Sequence, residues 1–405
     1  MKKIYRYGII FFLFSLIFIN NVYSLELPQI SSNNIVFMNL DDNYIIYSKN
    51  PEEKVQIASL TKIMTTIVSI ENINDFNEQI IVTEEMLKDI DIDFSIAGFK
   101  VGEVITYNDL LYGTMLPSGA DATNILAYSI SGSVEEFVKL MNKKAEELDM
   151  NDSHFSNTMG KTDDNNYSTA YDLSKLLKYC IRNEKFKEVY SSETYISSNL
   201  KHEMKGPVKK LHSEELNMDY IIGAKTGYTQ SAGLCLASVS KYNDKTYLLV
   251  TLGSSKQSWI QHMLDSKTLY EYFFNNYDYK KILSKGDILA KLKTEYDEEY
   301  IVKSNEDVIF YIDKNLEKKD LIYKYEGEKI LKKGIKKNDK IGIFYIMDND
   351  NILYKKQLYS PQTVRMTFNY FINHNKVFLI SILIIILLLI SCLNKKRKVV
   401  KNKHR

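Results

Sequence analysis

Cysteine is nearly absent, with only Cys180, Cys235 and Cys392 in 405 residues, so stability does not rest on a disulfide framework. Histidine is also sparse. None of the six (His154, His202, His212, His262, His374, His404) has a second histidine at helical spacing. His202-Glu203 lacks the partner four residues on that a zinc-peptidase helix needs, so no metal or other cofactor is expected. Nor does one sign of charge dominate. The 53 Lys and Arg against 51 Asp and Glu leave +2, which argues against nucleic acid as a partner. No internal repeat or low-complexity linker divides the chain. A composition of 45% hydrophobic and 26% charged residues excludes a disordered protein and leaves room for one large domain and a smaller one.

Both ends carry apolar runs. Lys2, Lys3 and Arg6 precede the apolar stretch from Gly8 to Ile19, and Val22 and Ser24 suit cleavage, so residues 1–24 read as a secretory signal; an uncleaved anchor is the alternative. Val377 to Leu393 is an unbroken apolar run of 17 residues, which at about 1.5 Å per residue just reaches across a bilayer core. Seven basic residues follow within 394–405, which by the positive-inside rule puts the tail in the cytoplasm and residues 25–376 outside. The expected arrangement is a single-pass cell-membrane protein with its bulk beyond the cytoplasm.

Between the ends the periodicity changes twice. Ile35 to Leu40 and Tyr44 to Ser48 flank the turn Asp41-Asp42-Asn43 as a hairpin. After Pro51, Leu60, Ile63, Met64, Ile67 and Val68 mark one face of an amphipathic helix that Ser59 opens. From Val82 to Leu177 the pattern is mostly helical, broken at Gly98, Gly102, Pro117-Ser118-Gly119 and Gly132. Tyr220–Tyr228, Gly233–Lys241 and Lys245–Ser254 then form a strand meander, and Trp259 to Asn275 is helical. Residues 280–365 break into short alternating strands, a separate small β domain. The fold class is α/β, more narrowly α+β. The boundaries expected are 25–277 for the large domain, 278–368 for the β domain and 377–393 for the transmembrane helix.

Three short motifs stand in order: Ser59-Leu60-Thr61-Lys62, Ser118-Gly119-Ala120 and Lys225-Thr226-Gly227. Each alone is weak, but the ordered set, on a helix start, an inter-helix turn and a strand, is specific. Residues three apart share a helix face, so Lys62 can take the Ser59 proton once burial or a neighbouring charge such as Lys225 lowers its pKa. Ser118, on a tight turn, can relay a proton to a leaving group, or simply cap the next helix. Lys225 and Thr226 can meet a terminal carboxylate, and Gly227 leaves a strand edge open to an added ligand strand. The backbone N–H groups of Ser59 and Tyr228 are the candidate oxyanion donors.

Around these motifs the sequence resembles the low-molecular-mass penicillin-binding proteins, the serine-type D-alanyl-D-alanine carboxypeptidases of peptidase S11 type. Ala58 to Thr65, Leu116 to Ala122, Gly132 to Phe137, Tyr167 to Asp172 and Gly223 to Thr229 carry the likeness. It is strong over residues 30–275, and the segment with Lys285-Gly286-Asp287 is similar to the family's C-terminal domain. The resemblance implies a penicillin-binding/β-lactamase-like antiparallel sheet flanked by helices, with a helical subdomain. It implies peptidoglycan stem peptides as substrate, removal of their last D-alanine through an acyl-enzyme, and β-lactam antibiotics as inhibitors. It makes Ser59, Lys62 and Ser118 catalytic and Lys225, Thr226, Gly227 and Tyr228 substrate-binding.

Other readings remain beside this one. A class A β-lactamase needs a Glu-x-x-Leu-Asn pattern between Ala120 and Lys225, and none is present. A D,D-transpeptidase would use the same motifs with an amine in place of water. A catalytically weak penicillin-binding sensor or scaffold would signal through the tail, which is too short for a folded domain. In the family the third residue of the second motif is Asn, whereas here it is Ala120. That departure predicts persistent acylation by penicillin with slow peptide turnover, and Asn124, one helical turn on, is the candidate substitute.

Overall fold

The structure, a computed structural model, describes residues 27–88, 90–91 and 93–403, with side chains to Asn394. The expected signal sequence, 1–24, lies outside the described residues. Two compact units meet between Asn275 and Asn276.

The first unit is built on five antiparallel strands in the order β2-β1-β9-β8-β7. These are β1 (Asn34–Asn39), β2 (Tyr44–Lys49), β7 (Ile221–Thr229), β8 (Gly233–Tyr242) and β9 (Lys245–Ser254). Two short pairs stand apart, β3 (Gln79–Ile81) with β4 (Val104–Thr106) and β5 (Thr194–Ile196) with β6 (Glu203–Lys205). The helices of this unit are α1 (Thr61–Asn72), α2 (Tyr107–Met115), α3 (Ala120–Ser131), α4 (Val134–Glu147), α5 (Ala170–Cys180), α6 (Glu184–Ser191), α7 (Pro207–Leu211) and α8 (Gln261–Asn276).

β1, an inner strand between β2 and β9, is buried along its whole length. Val36 and Met38 join the main apolar core. Phe37 points the other way, its ring 5.4 Å from Tyr270 and 5.2 Å from Phe273 on α8. This period-2 alternation makes one strand the floor of two layers. Asn243 and Asp244, both at positive φ, close the β8–β9 hairpin as a two-residue turn of that hand requires.

Two sequence expectations are corrected here. α1 is not half-exposed, since every residue from Thr61 to Ile70 is buried. Two of its hydroxyls are satisfied internally, Thr65 Oγ1 donating to the Thr158 carbonyl at 2.6 Å and Ser69 Oγ to that of Thr65 at 2.8 Å. The stretch 82–177 is also less helical than its periodicity suggests. Among the described residues, 82–103 hold one short 3-10 turn, and 148–169 hold no helix. Side-chain-to-backbone bonds replace helical ones there. Asn157 Oδ1, for instance, accepts from the amides of Met159, Gly160 and Lys161. Caps fix the helices that do form: Thr106 and Asp109 make a capping box on α2, and Ser133, Thr169 and Asn183 cap α4, α5 and α6.

The second unit is β-rich. β10 (Tyr277–Leu283) pairs with β13 (Val308–Asp313), and β11 (Ile288–Thr294) with β12 (Glu299–Lys303) and β15 (Ile330–Leu331). β14 (Ile322–Gly327), β16 (Lys340–Asp348) and β17 (Asn351–Tyr359) make a third sheet. Leu292, Tyr300, Val302, Leu331, Phe344 and Ile346 sit in its core. The short helix α9 (Phe368–His374) precedes α10 (Lys376–Lys403), which continues past the apolar run into the basic tail. Residues Lys376–Asn394 of α10, 19 residues at mean hydropathy 3.0 and none of it buried, are long and apolar enough to cross a membrane.

Candidate active site

Ser59 sits in a 3-10 turn, Ala58–Leu60, that leads directly into α1. Ala58 holds φ +47°, a conformation that costs a non-glycine residue energy and persists where surrounding packing imposes it. Gly160 does that packing, at φ +83°. A Cβ there would lie 1.9 Å from the Ala58 carbonyl oxygen and 2.9 Å from the Ser59 nitrogen. On the opposite side, a Cβ on Gly227 would lie 2.9 Å from the Ser59 nitrogen and 3.2 Å from Ala58 Cβ. The glycine of the third motif is therefore required by the nucleophile's own turn. β7 is nonetheless an edge strand of the sheet, so a ligand strand can still add to it.

Lys62 Nζ donates to Ser59 Oγ at 3.1 Å and to the Met159 carbonyl at 2.6 Å. The side chain is buried. Burial holds its pKa well below the ordinary lysine value, the Lys225 charge pushes the same way, and Asp121 opposes both. Lys225 is buried too, and burial pushes its pKa down to about 7. Its Nζ donates to the Thr226 carbonyl at 3.0 Å. Lys225 does not line the cleft, whereas Thr226, Gly227 and Tyr228 do. Its charge bears on Lys62, whose proton affinity it lowers.

Ser118 adopts φ +63° on the turn between α2 and α3, with its Oγ buried and unpartnered. Gly119 N donates to the Gly113 carbonyl and Ala120 N to that of Ser95, both at 2.8 Å, and these fix the turn. Asp121 was not singled out from the sequence. Its carboxylate accepts from the amides of Ala97 and Gly98, each at 2.7 Å, and Phe99 at 3.1 Å, tying loop 95–99 to the start of α3. Asn124 does not substitute for the missing amide at Ala120. Its Nδ2 donates to the Lys88 carbonyl at 3.4 Å and its Oδ1 accepts from Thr158 at 3.3 Å.

Ser59, Ser118, Thr226, Gly227 and Tyr228 open on one cleft of about 710 Å³. Its outer end is aromatic: the Tyr228 and Trp259 rings meet edge to face at 5.2 Å. The sequence offered only indirect signals for this end, a lone tryptophan just before a helix and the Asn157-Thr158-Met159-Gly160 turn.

The fold and these groups define a serine acyl-transfer enzyme of the penicillin-binding type. Residues 21–256 match the profile described as D-alanyl-D-alanine carboxypeptidase, peptidase S11, and residues 277–365 that of the penicillin-binding protein 5 C-terminal domain. The chain belongs to the D-alanyl-D-alanine carboxypeptidase family and is a serine-type member of it. It is 31% identical over 271 residues to D-alanyl-D-alanine carboxypeptidase DacF of Bacillus subtilis, covering 64% of this chain and 66% of that protein. Against the carboxypeptidase DacA of Haemophilus influenzae it is 29% identical, covering 68% and 70%. The matched stretch thus spans about two thirds of these relatives' length. Penicillin-binding protein 5 of Haemophilus influenzae shares the fold, with TM-score 0.62, 24% identity and 84% and 99% of the two chains covered. The Streptomyces K15 DD-transpeptidase superposes at TM-score 0.56 with 26% identity, covering 61% and 98%.

Proposed function

We propose that this chain removes the terminal D-alanine of peptidoglycan stem pentapeptides outside the cytoplasm, with residues 25–277 as the catalytic domain, 278–368 as a β domain and 377–393 as its membrane span. The observation that carries the reading is the 3.1 Å contact between Ser59 Oγ and a buried Lys62 whose pKa is depressed. Neutral Lys62 takes the Ser59 proton as Oγ bonds to the penultimate residue's carbonyl carbon. The Ser59 and Tyr228 amides hold the oxyanion. As the intermediate collapses the C–N bond breaks, and the proton on Lys62 passes to the departing amine by way of the unpartnered Ser118 hydroxyl. Water then hydrolyses the ester, and a β-lactam stops at that ester. Thr226 and the β7 edge align the peptide.

Incubation of the detergent-solubilised full-length enzyme with a diacyl pentapeptide ending in D-Ala-D-Ala should release free D-alanine, with Ser59→Ala abolishing both release and fluorescent-penicillin labelling. Amide-linked dimer as the main product would replace hydrolysis with transpeptidation. Labelling retained in Ser59→Ala would sink the nucleophile assignment.

A further inference from the structure

Charge of one sign gathers at one place in the second unit. Residues 329–340 hold Lys329, Lys332, Lys333, Lys336, Lys337 and Lys340 against a single carboxylate, Asp339. All six lysines are exposed. None makes an ion pair among the described residues, whereas Lys319, Lys324 and Lys356 of the same unit pair with Glu317, Glu326 and Glu306. Asp339 is engaged by backbone, its Oδ2 accepting from the Lys336 amide at 2.8 Å. Like charges this close repel one another, and an opposing anion relieves that repulsion.

The loop has a fixed shape. Leu331 lies in the core of the β domain and Ile335 packs against that core, while Gly334, at φ +102°, turns the chain between them. With the apolar residues turned inward, the lysines are left in solvent. The same loop is tied to the segment that leads to the candidate span. Asn338 N donates to the Ser360 carbonyl at 2.8 Å, and Ser360 N to the Asp339 carbonyl at 2.9 Å. Val364 N donates to the Ile335 carbonyl at 2.9 Å, and Lys337 N to Thr363 Oγ1 at 3.2 Å. The apolar helix begins soon afterwards, at Lys376. The lysines therefore stand on the face from which the chain leaves for the span.

We propose that the loop 329–340 is a docking surface for the anionic phospholipid headgroups of the bilayer that the span enters. This rests on the reading of residues 377–393 as a membrane span. The ammonium groups meet headgroup phosphate oxygens, an attraction that acts within about 8 Å at physiological salt. Such contacts are weak one by one. The span keeps lipid at high effective concentration, so contacts too weak to hold a free chain on a membrane suffice to orient a domain already tethered there.

Full-length enzyme is placed in lipid nanodiscs of phosphatidylcholine alone or mixed with phosphatidylglycerol, and lysine acylation by a water-soluble succinimidyl ester is read residue by residue by mass spectrometry. The six lysines should label more slowly in the anionic discs by about fivefold, the factor to which one lysine's attraction to an anionic surface corresponds, and high salt should remove the difference. Lys100, exposed in the first unit, should label alike in both. A variant carrying Lys332→Gln, Lys333→Gln, Lys336→Gln and Lys337→Gln should keep penicillin labelling and lose the protection of Lys329 and Lys340. Equal labelling in the two discs, or protection that ignores lipid charge and salt, overturns the docking surface while leaving the span in place. Protection that appears only when soluble polyphosphate is added assigns the loop to an anionic polymer and overturns it as well. A full-length chain that does not enter the discs removes the span, and the docking surface with it.

Discussion

Lys62 and Lys225 are two fully buried lysines, 1% and 0% exposed, and the charge of the second lowers the proton affinity of the first. Burial alone would disfavour both ammonium groups. In the proposed mechanism the pair makes a base of a side chain that is ordinarily protonated, on the first turn of α1 and just after the 3-10 turn that carries Ser59. One residue type serves two ends in that mechanism, with Lys62 exchanging protons and Lys225 tuning it.

Replacing Lys225 by Met should move the pH dependence of acylation. With the neighbouring positive charge gone, protonated Lys62 is favoured and its pKa rises. The alkaline rise of the penicillin acylation rate should then shift to higher pH, by on the order of one unit. A stability signature accompanies it. Lys225 titrates at about 7 in the fold against 10.5 ordinarily, so between those values the unfolded chain binds more protons and stability climbs with pH. Lys225→Met should flatten that climb, with Tm rising most at pH 7 and below. An unmoved acylation profile in a folded variant would show that Lys225 does not tune the base.

The nucleophile's turn is clamped by two glycines from distant parts of the chain, and each predicts a loss. Alanine at Gly160 meets the Ala58 carbonyl at 1.9 Å and also inherits a φ of +83°. Backbone must move, and a displacement of about 1 Å costs on the order of 10²-fold in rate. Gly227→Ala faces a milder contact, 2.9 Å to the Ser59 nitrogen, and should lose less. Penicillin acylation rates read alongside circular dichroism separate misplacement from unfolding. Wild-type rates in both variants would mean the turn does not need these close approaches.

Much of this was legible in the sequence, and the exceptions have a common cause. The strands at Ile221–Thr229, Gly233–Tyr242 and Lys245–Ser254 lie within a residue or two of the alternating runs that mark them, because alternation, turn residues and burial agree there. The three motifs also lie where their local patterns place them, on a helix start, a turn and a strand. The burial of Lys225, the clamp by Gly160 and the aromatic rim of Tyr228 and Trp259 depend on residues far apart in sequence, and no local period encodes them. α1 shows the same limit. Its stripe of Ile63, Met64 and Ile67 is real, but Thr65 and Ser69 are buried as well, because an internal partner can satisfy a hydroxyl as water does.

Membrane attachment should reside beyond the β domain. Val364 is buried in that domain's core, whereas Met366 and Phe368 are 50% and 75% exposed and the candidate span begins at Lys376. A chain ending after Tyr370, which still packs on that core against Tyr296, should therefore keep its fold and partition to the soluble fraction with penicillin labelling retained, while the full chain pellets with membranes. Pelleting of the signal-processed truncated form would place the attachment in the β domain.

Ala120 is the position where this chain departs from the family pattern, and the structure sharpens what restoring the usual asparagine should do. Ala120 is fully buried at the start of α3, with its amide on the Ser95 carbonyl and its own carbonyl accepting from Thr123 Oγ1, both at 2.8 Å. Lys62 uses two of its three donors, on Ser59 and Met159. An Asn side chain here offers an acceptor to the third donor, and its amide can meet the substrate's peptide group. One preorganised contact of this kind is worth about 10² or more in rate. Against it stands crowding in a filled site, typically about 1–3 kcal/mol. The net expectation for Ala120→Asn is a roughly tenfold rise in D-alanine release, with penicillin labelling retained and a lower Tm. A folded variant that is no faster would show that the pocket has been rebuilt around alanine, with the Met159 carbonyl doing for Lys62 what the amide does elsewhere.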